Sequence, residues 1–139
     1  NVRGGFAALK PIVRALQDSK IRVSLFIDPD PEQINASAEI GADVVELHTG
    51  DYCHAFDAED AAGTARLLQV LKDGAALAAR SGLEVHAGHG INFGSVTPIA
   101  AMPEVMELNI GHFLVGEGIF IGFAGAIRQM RALMDSARQ

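Results

Sequence analysis

Four short apolar runs set the fold of this chain. Residues 21–27, 43–49, 83–87 and 106–110 each stop at a turn: Asp28-Pro29-Asp30-Pro31, Gly50, Gly88-His89-Gly90 and Gly111-His112. A strand with one wet face alternates apolar and polar residues. Nearly continuous runs belong to strands buried on both faces, as in a parallel sheet covered by helices.

Between the runs the pattern becomes helical. Phe6, Leu9, Ile12, Val13 and Leu16 predict a helix over about 8–18, with Pro11 in its first turn, where no N–H is missed. A second helix is predicted over 31–40, with Asp30 as N-cap, Gln33 as its capping-box partner and Gly41 as the stop. A polar loop is expected over 51–57. A long Ala-rich helix follows over about 58–80, running through Leu67, Leu68, Leu71 and Leu77, with Gly63 and Gly74 as its weak points. Val96-Thr97-Pro98 starts a short helix that stops near Pro103. Residues 115–122 form a glycine-punctuated segment, and Phe123, Ile127, Met130 and Met134 mark the stripe of a last helix.

Strands alternating with helices predict an α/β fold with a parallel sheet. Four βα units amount to half of a (β/α)8 TIM barrel. The chain also starts without methionine, at a Gly4-Gly5 loop, which points to a fragment. An open doubly wound sheet is the alternative. It normally carries a glycine-rich fingerprint after its first strand, where this chain has Asp28-Pro29-Asp30-Pro31.

Composition narrows the function. A net charge of −6 argues against general nucleic-acid binding, though a local pocket for a small phosphate stays open. No stretch nears the ~18 apolar residues of a membrane span, and no signal peptide is visible. The single cysteine, Cys53, excludes a disulfide framework and points to a reducing cytoplasm.

Strand C-terminal ends carry the chemistry of βα barrels. Here they offer Asp28, Glu46 with His48 or Thr49, His86 to Gly90, and Gly111-His112. Imidazoles and carboxylates are the groups that exchange protons near neutral pH. Glu46 interrupts an apolar strand, where an unpaired carboxylate is costly. It is either functional, a core glutamate paired with Lys or Arg, or the polar phase of an alternating strand. His89 stands between two glycines at a strand end and is the stronger candidate. The pair His86 and His89 invites a metal, but residues three apart on an extended strand do not converge, and nothing completes a zinc set. Gly88, Gly90 and Gly111 offer backbone N–H groups to a phosphate, or equally permit tight helix–strand packing. Cys53 has no base placed for it and reads as a packed loop residue. Asp57, Glu59 and Asp60 read as an acidic helix start.

The blocks Val23-Ser24-Leu25-Phe26-Ile27-Asp28, Glu46-Leu47-His48-Thr49-Gly50, Ala87-Gly88-His89-Gly90 and Glu107-Leu108-Asn109-Ile110-Gly111-His112, in this order, resemble the pyridoxine 5′-phosphate synthase family across about residues 20–138. The resemblance implies a (β/α)8 barrel, typically octameric, without organic cofactor or catalytic metal. It implies condensation of 3-amino-2-oxopropyl phosphate with 1-deoxy-D-xylulose 5-phosphate to pyridoxine 5′-phosphate, phosphate and water. By resemblance His89 is the proton donor, Glu46 stabilises the transition state, and Gly90, Gly111 and His112 hold the aminoketone phosphate. The family's first four strands supply a further histidine, a glutamate base and most of the second substrate's site, and this chain has no counterpart to them, so the resemblance implies that residues 1–139 are the C-terminal half of a single TIM-barrel domain with the N-terminal half absent. Asn1 and Val2 stand where the family's Thr-Thr-Glu-Gly-Gly-Leu loop has a substrate-binding threonine. Two rival classes remain: a non-catalytic half-barrel that binds phosphate, and a different phosphate-handling barrel enzyme.

Overall fold

The apolar runs pair side by side, in chain order, into one parallel sheet. The structure, a computed structural model, describes all 139 residues. Its strands are β1 (Ser24–Ile27), β2 (Val44–His48), β3 (Glu84–Gly88) and β4 (Val105–Asn109), ordered β1-β2-β3-β4. The helices are α1 (Val2–Asp18), α2 (Pro31–Ile40), α3 (Gly50–Asp57), α4 (Ala61–Arg80), α5 (Val96–Ala100), α6 (His112–Ile121) and α7 (Phe123–Ser136). This is an α/β fold with a parallel four-stranded sheet. No helix is long and apolar enough to cross a membrane.

Register and the two-residue period of a strand decide what each face carries. Val45, Leu47, Val85 and Ala87 turn toward the helices and are buried in the core with Ile27, Ile34, Leu71 and Ala75. The opposite face carries cross-strand rows. Phe26 lies opposite Glu46, Glu46 opposite His86, and His86 opposite Glu107. One step toward the C-terminal ends, His48 lies opposite Gly88 and Gly88 opposite Asn109. A register irregularity between Val85 and His86 re-phases β4, so that Val105 is buried and Met106 exposed.

The α2 unit follows its sequence signals. The Asp30 carboxylate accepts from the Glu32 and Gln33 N–H groups, and Gly41 closes the helix at φ 89°. Gln33 is no capping-box partner, because its amide oxygen accepts the Val2 N–H at 2.7 Å and so fastens α1 to α2.

Several expectations need correction. Helix α1 starts at Val2, capped by Asn1, so Gly4 and Gly5 are helical rather than a loop and Pro11 is interior. The carbonyl that Pro11 leaves without a donor belongs to Ala7, and both residues are exposed, so water can take the bond. On α1 only Val13 of the expected stripe is fully buried, while Ile12 and Leu16 are exposed. The expected loop over 51–57 is helix α3, with Tyr52, Cys53 and Ala55 facing inward. Helix α4 is unbroken. At Gly74 an added Cβ would come within 3.1 Å of Pro29, so glycine there allows close packing. The segment at 115–122 lies largely in α6, whose side chains include no buried residue. On α7 the inward face is Ala126 and Met130, whereas Phe123 and Ile127 are exposed. Of the expected acidic helix start, Asp60 alone caps α4, and Asp57 instead accepts from the Asn92 amide at 2.9 Å.

Asp43 ties the sheet to α1. Its carboxylate accepts from the Val23 N–H at 2.8 Å and the Gln17 amide at 3.2 Å. The Val23 bond first, then the Gln17 bond, hold its pKa below the usual 3.8. A carboxylate stabilised in its charged form adds stability above its unfolded pKa, lost as pH falls through the folded one. Asp43→Asn keeps an acceptor but no titration. The stability gap between parent and variant should therefore shrink as pH falls below 3.8, in denaturant melts at stepped pH. A gap that stays constant would assign the shift no energetic weight.

Candidate active site

Glu46 projects from the bare face of β2, and its carboxylate meets no Lys or Arg. It accepts from the Asn109 amide at 2.8 Å instead. The paired-cation alternative is thus replaced by a cross-sheet hydrogen bond from β4. Gly88, on the strand between them, has to be glycine. A Cβ there would collide with the Glu46 carboxylate and lie 2.9 Å from the Asn109 carbonyl oxygen.

His89 leaves β3 in the left-handed region, φ 78°, which costs a non-glycine residue roughly 1–3 kcal/mol and persists only when surroundings enforce it. Thr49, fully buried, supplies the enforcement. Its N–H donates to the Gly88 carbonyl at 2.9 Å, and its hydroxyl lies 2.8 Å from that oxygen and 2.7 Å from the His89 carbonyl. The hydroxyl is therefore unavailable to cap α3, whose N-terminus has no side-chain cap. The imidazole of His89 is exposed and leans on His48, with ring centroids 4.7 Å apart.

Gly90 is at φ 87°, and a Cβ on it would lie 3.1 Å from Cys53 Cβ. Its need for glycine is thus internal. Cys53 fills the space beneath, its Sγ 3.9 Å from Thr49 Oγ1 and 3.7 Å from Ser95 Oγ. Burial pushes its thiol pKa up, the reverse of an activated nucleophile. Burial likewise pushes the neighbouring Tyr52 phenol up to about 12, and its hydroxyl donates to the Ser95 carbonyl at 3.1 Å.

Gly111 and His112 form the N-terminus of α6, again with no side-chain cap. Nothing lies within 4 Å of a Cβ built on Gly111, so its surroundings are open. Unclaimed N–H groups and the positive end of the helix dipole suit an anion. Glu46, His89, Gly90, Asn109, Gly111 and His112 all line one open cavity of about 740 Å³ at the C-terminal ends of the strands.

His86 does not join His89. It lies buried on the bare face, with Nε2 2.8 Å from Glu84 and Nδ1 3.5 Å from Glu107. Glu84 also binds Arg22 at 2.5 Å, and that bond first, then the one to His86, keeps its pKa below the usual carboxylate value. The sequence reading missed Asn109 and left Thr49 and His48 as alternatives. The signal for Asn109 was present in Glu107-Leu108-Asn109, whose alternation puts two polar groups on the face shared with Glu46.

Fold and candidate site define a parallel βα protein with imidazole and carboxylate side chains gathered beside the uncapped N-terminus of α6. Comparison with known proteins makes this specific. The family described as pyridoxal phosphate biosynthesis protein PdxJ matches residues 1–136, and the chain belongs to that family. Among its relatives are proteins named pyridoxine 5′-phosphate synthase. The one from Caulobacter sp. strain K31 is 56% identical over 134 residues, covering 96% of this chain and 53% of the relative. The Cereibacter sphaeroides ATCC 17029 protein is 56% identical over 139 residues, covering 100% and 55%. The Rhodospirillum rubrum protein is 54% identical over 139 residues, covering 99% and 54%. The chain spans about half the length of the curated relatives it matches.

Proposed function

We propose that this chain supplies the C-terminal four βα units of a (β/α)8 barrel that makes pyridoxine 5′-phosphate from 3-amino-2-oxopropyl phosphate and 1-deoxy-D-xylulose 5-phosphate, releasing phosphate and water. The observation that carries the reading is the convergence of His89, Glu46 and the uncapped α6 N-terminus at Gly111-His112 on one cavity. The half-barrel is supported by the sheet itself. Parallel strands are normally covered on both faces, and this sheet has a bare face and two open edges, β1 and β4. A homo-oligomer belongs to the same reading, supported by the exposure of Ile119 and Phe120 on α6. A cytoplasmic location rests on the single, unpaired Cys53.

In this mechanism Gly90, Gly111 and His112 hold the aminoketone phosphate, so binding energy is drawn from a group remote from the reacting atoms. Joining an amine to a ketone passes through a carbinolamine whose hydroxyl must be protonated to leave as water. His89, whose ring makes no hydrogen bond within the protein, is free to give that proton. Glu46 is acceptor-only while ionised, and faces the positive charge that develops at nitrogen as water departs. Its carboxylate is held in place by Asn109. No metal or organic cofactor enters the scheme.

The test is a chimera in which residues 1–139 replace the matching half of the Caulobacter K31 relative. Pyridoxine 5′-phosphate formation and phosphate release are measured with both substrates. Turnover is the expected result. A folded chimera that binds phosphate without turnover would favour the non-catalytic half-barrel, and one active only on other phosphorylated substrates a different enzyme.

A further inference from the structure

The ring of His89 has no hydrogen bond or ion pair to fix its plane, yet a proton donor must point at one atom of its substrate. Three elements build a slot around it. His48, two residues after Glu46 on the same face of β2, stacks on His89 with centroids 4.7 Å apart and planes inclined by 33°. Phe26 of β1 meets His48 edge-on, centroids 5.2 Å apart, and lies 6.3 Å from His89. Gly50, at the start of α3, leaves the space both rings occupy. A Cβ there would lie 2.6 Å from His48 Cε1 and 3.0 Å from His89 Cδ2.

His48 stands outside the cavity that takes in Gly111 and His112. The large cavity is lined by His89 and Phe26 but not by His48. His48 faces a neighbouring cavity of about 320 Å³ with Asp28 and Tyr52. Its Nδ1 is 3.8 Å from Asp28 Oδ1, too long for a hydrogen bond, and the Asp28 side chain is 79% exposed, so the contact is weak. Its closest organised partner is therefore the other imidazole.

We propose that His48 is a positioning residue, a flat backing plate that sets the plane of the His89 ring, with Gly50 keeping the slot open. The inference rests on the proposed proton-donor role of His89. Donation depends on angle as well as distance, and a misplacement of about 1 Å can cost on the order of 10²-fold in rate. What the plate contributes is shape, so an aromatic ring without titration should serve.

The stack is read first in the 139-residue chain itself, without any reaction. In NMR spectra the His89 ring resonances are identified by their loss in His89→Asn. His48→Ala should move them, because a neighbouring ring current is removed, and His48→Phe should return them toward an aromatic-stacked position. Resonances unmoved by His48→Ala would overturn the stack. The consequence is then read in the chimera. His48→Ala should lower kcat by up to about 10²-fold with little change in KM for either phosphate, since no binding group is touched. His48→Phe should restore most of the turnover. Gly50→Ala, which alters neither ring chemically, should lower kcat in the same way. Loss of kcat in His48→Phe equal to that in His48→Ala would overturn the plate and assign His48 a proton-transfer role. Equal kcat in parent and His48→Ala would leave the His89 assignment standing and remove His48 from it. An inactive parent chimera would defeat the proposed reaction, and with it the plate's catalytic purpose, while the NMR result would still decide the stack.

Discussion

His89→Asn in the chimera is expected to cut single-turnover rate by about 10²–10⁴-fold, the usual contribution of a general acid–base group, with substrate binding changed far less. The choice of asparagine follows from the backbone. His89 is held at φ 78°, and asparagine is one of the few residues that adopts the left-handed region readily. The Thr49 clamp acts on the main-chain carbonyls of Gly88 and His89, so it survives the change. What is lost is the imidazole, the group proposed to hand over the proton. Alanine would report less cleanly, because it would strain the turn as well. Rate and affinity are separated by single-turnover measurements alongside binding titrations. A variant that turned over at the parental rate would return His89 to the status of a turn residue.

The sequence made some of this site legible and hid the rest for identifiable reasons. Strand positions could be read because parallel strands are buried on both faces and their apolar runs are hard to mistake. The α2 boundaries could be read because Asp30 and Gly41 satisfy helix-end groups by local chemistry alone. Glu46 and His89 stood out as polar groups where apolar or glycine neighbours predominate. Helix α3 was hidden because Asp51, His54 and Asp57 make its stretch look like a polar loop, while its burial rests on only Tyr52, Cys53 and Ala55. Helix α6 was hidden by Gly116 and Gly118, each costing about 1 kcal/mol against alanine in a helix. Periodicity identified the stripes on α1 and α7 but not their neighbours, so Ile12 and Ile127 seemed core and are exposed. The Thr49 clamp joins residues about forty positions apart, and no local pattern encodes it.

Glu46→Gln is expected to lower turnover by about 10²–10³-fold, the effect of removing one preorganised electrostatic group, while leaving stability close to the parent's. The geometry separates charge from shape. Asn109 donates to one carboxylate oxygen at 2.8 Å, and the glutamine carbonyl can accept the same bond, so β2 and β4 stay linked. Gly88 leaves room beside the other oxygen, and the added amide needs no more space than the oxygen it replaces. Only the negative charge is gone, and the developing positive charge at nitrogen then has no counter-charge at this position. Gly88→Ala provides the contrasting control. Its Cβ would collide with the Glu46 carboxylate and press to 2.9 Å from the Asn109 carbonyl oxygen. Overpacking of that kind costs about 1–3 kcal/mol, so this variant should lose stability and activity together. Denaturant melts and single-turnover rates on both variants distinguish the two effects. If Glu46→Gln lost stability to the same extent as Gly88→Ala, the carboxylate would be a structural member of the sheet, and its electrostatic role would fall.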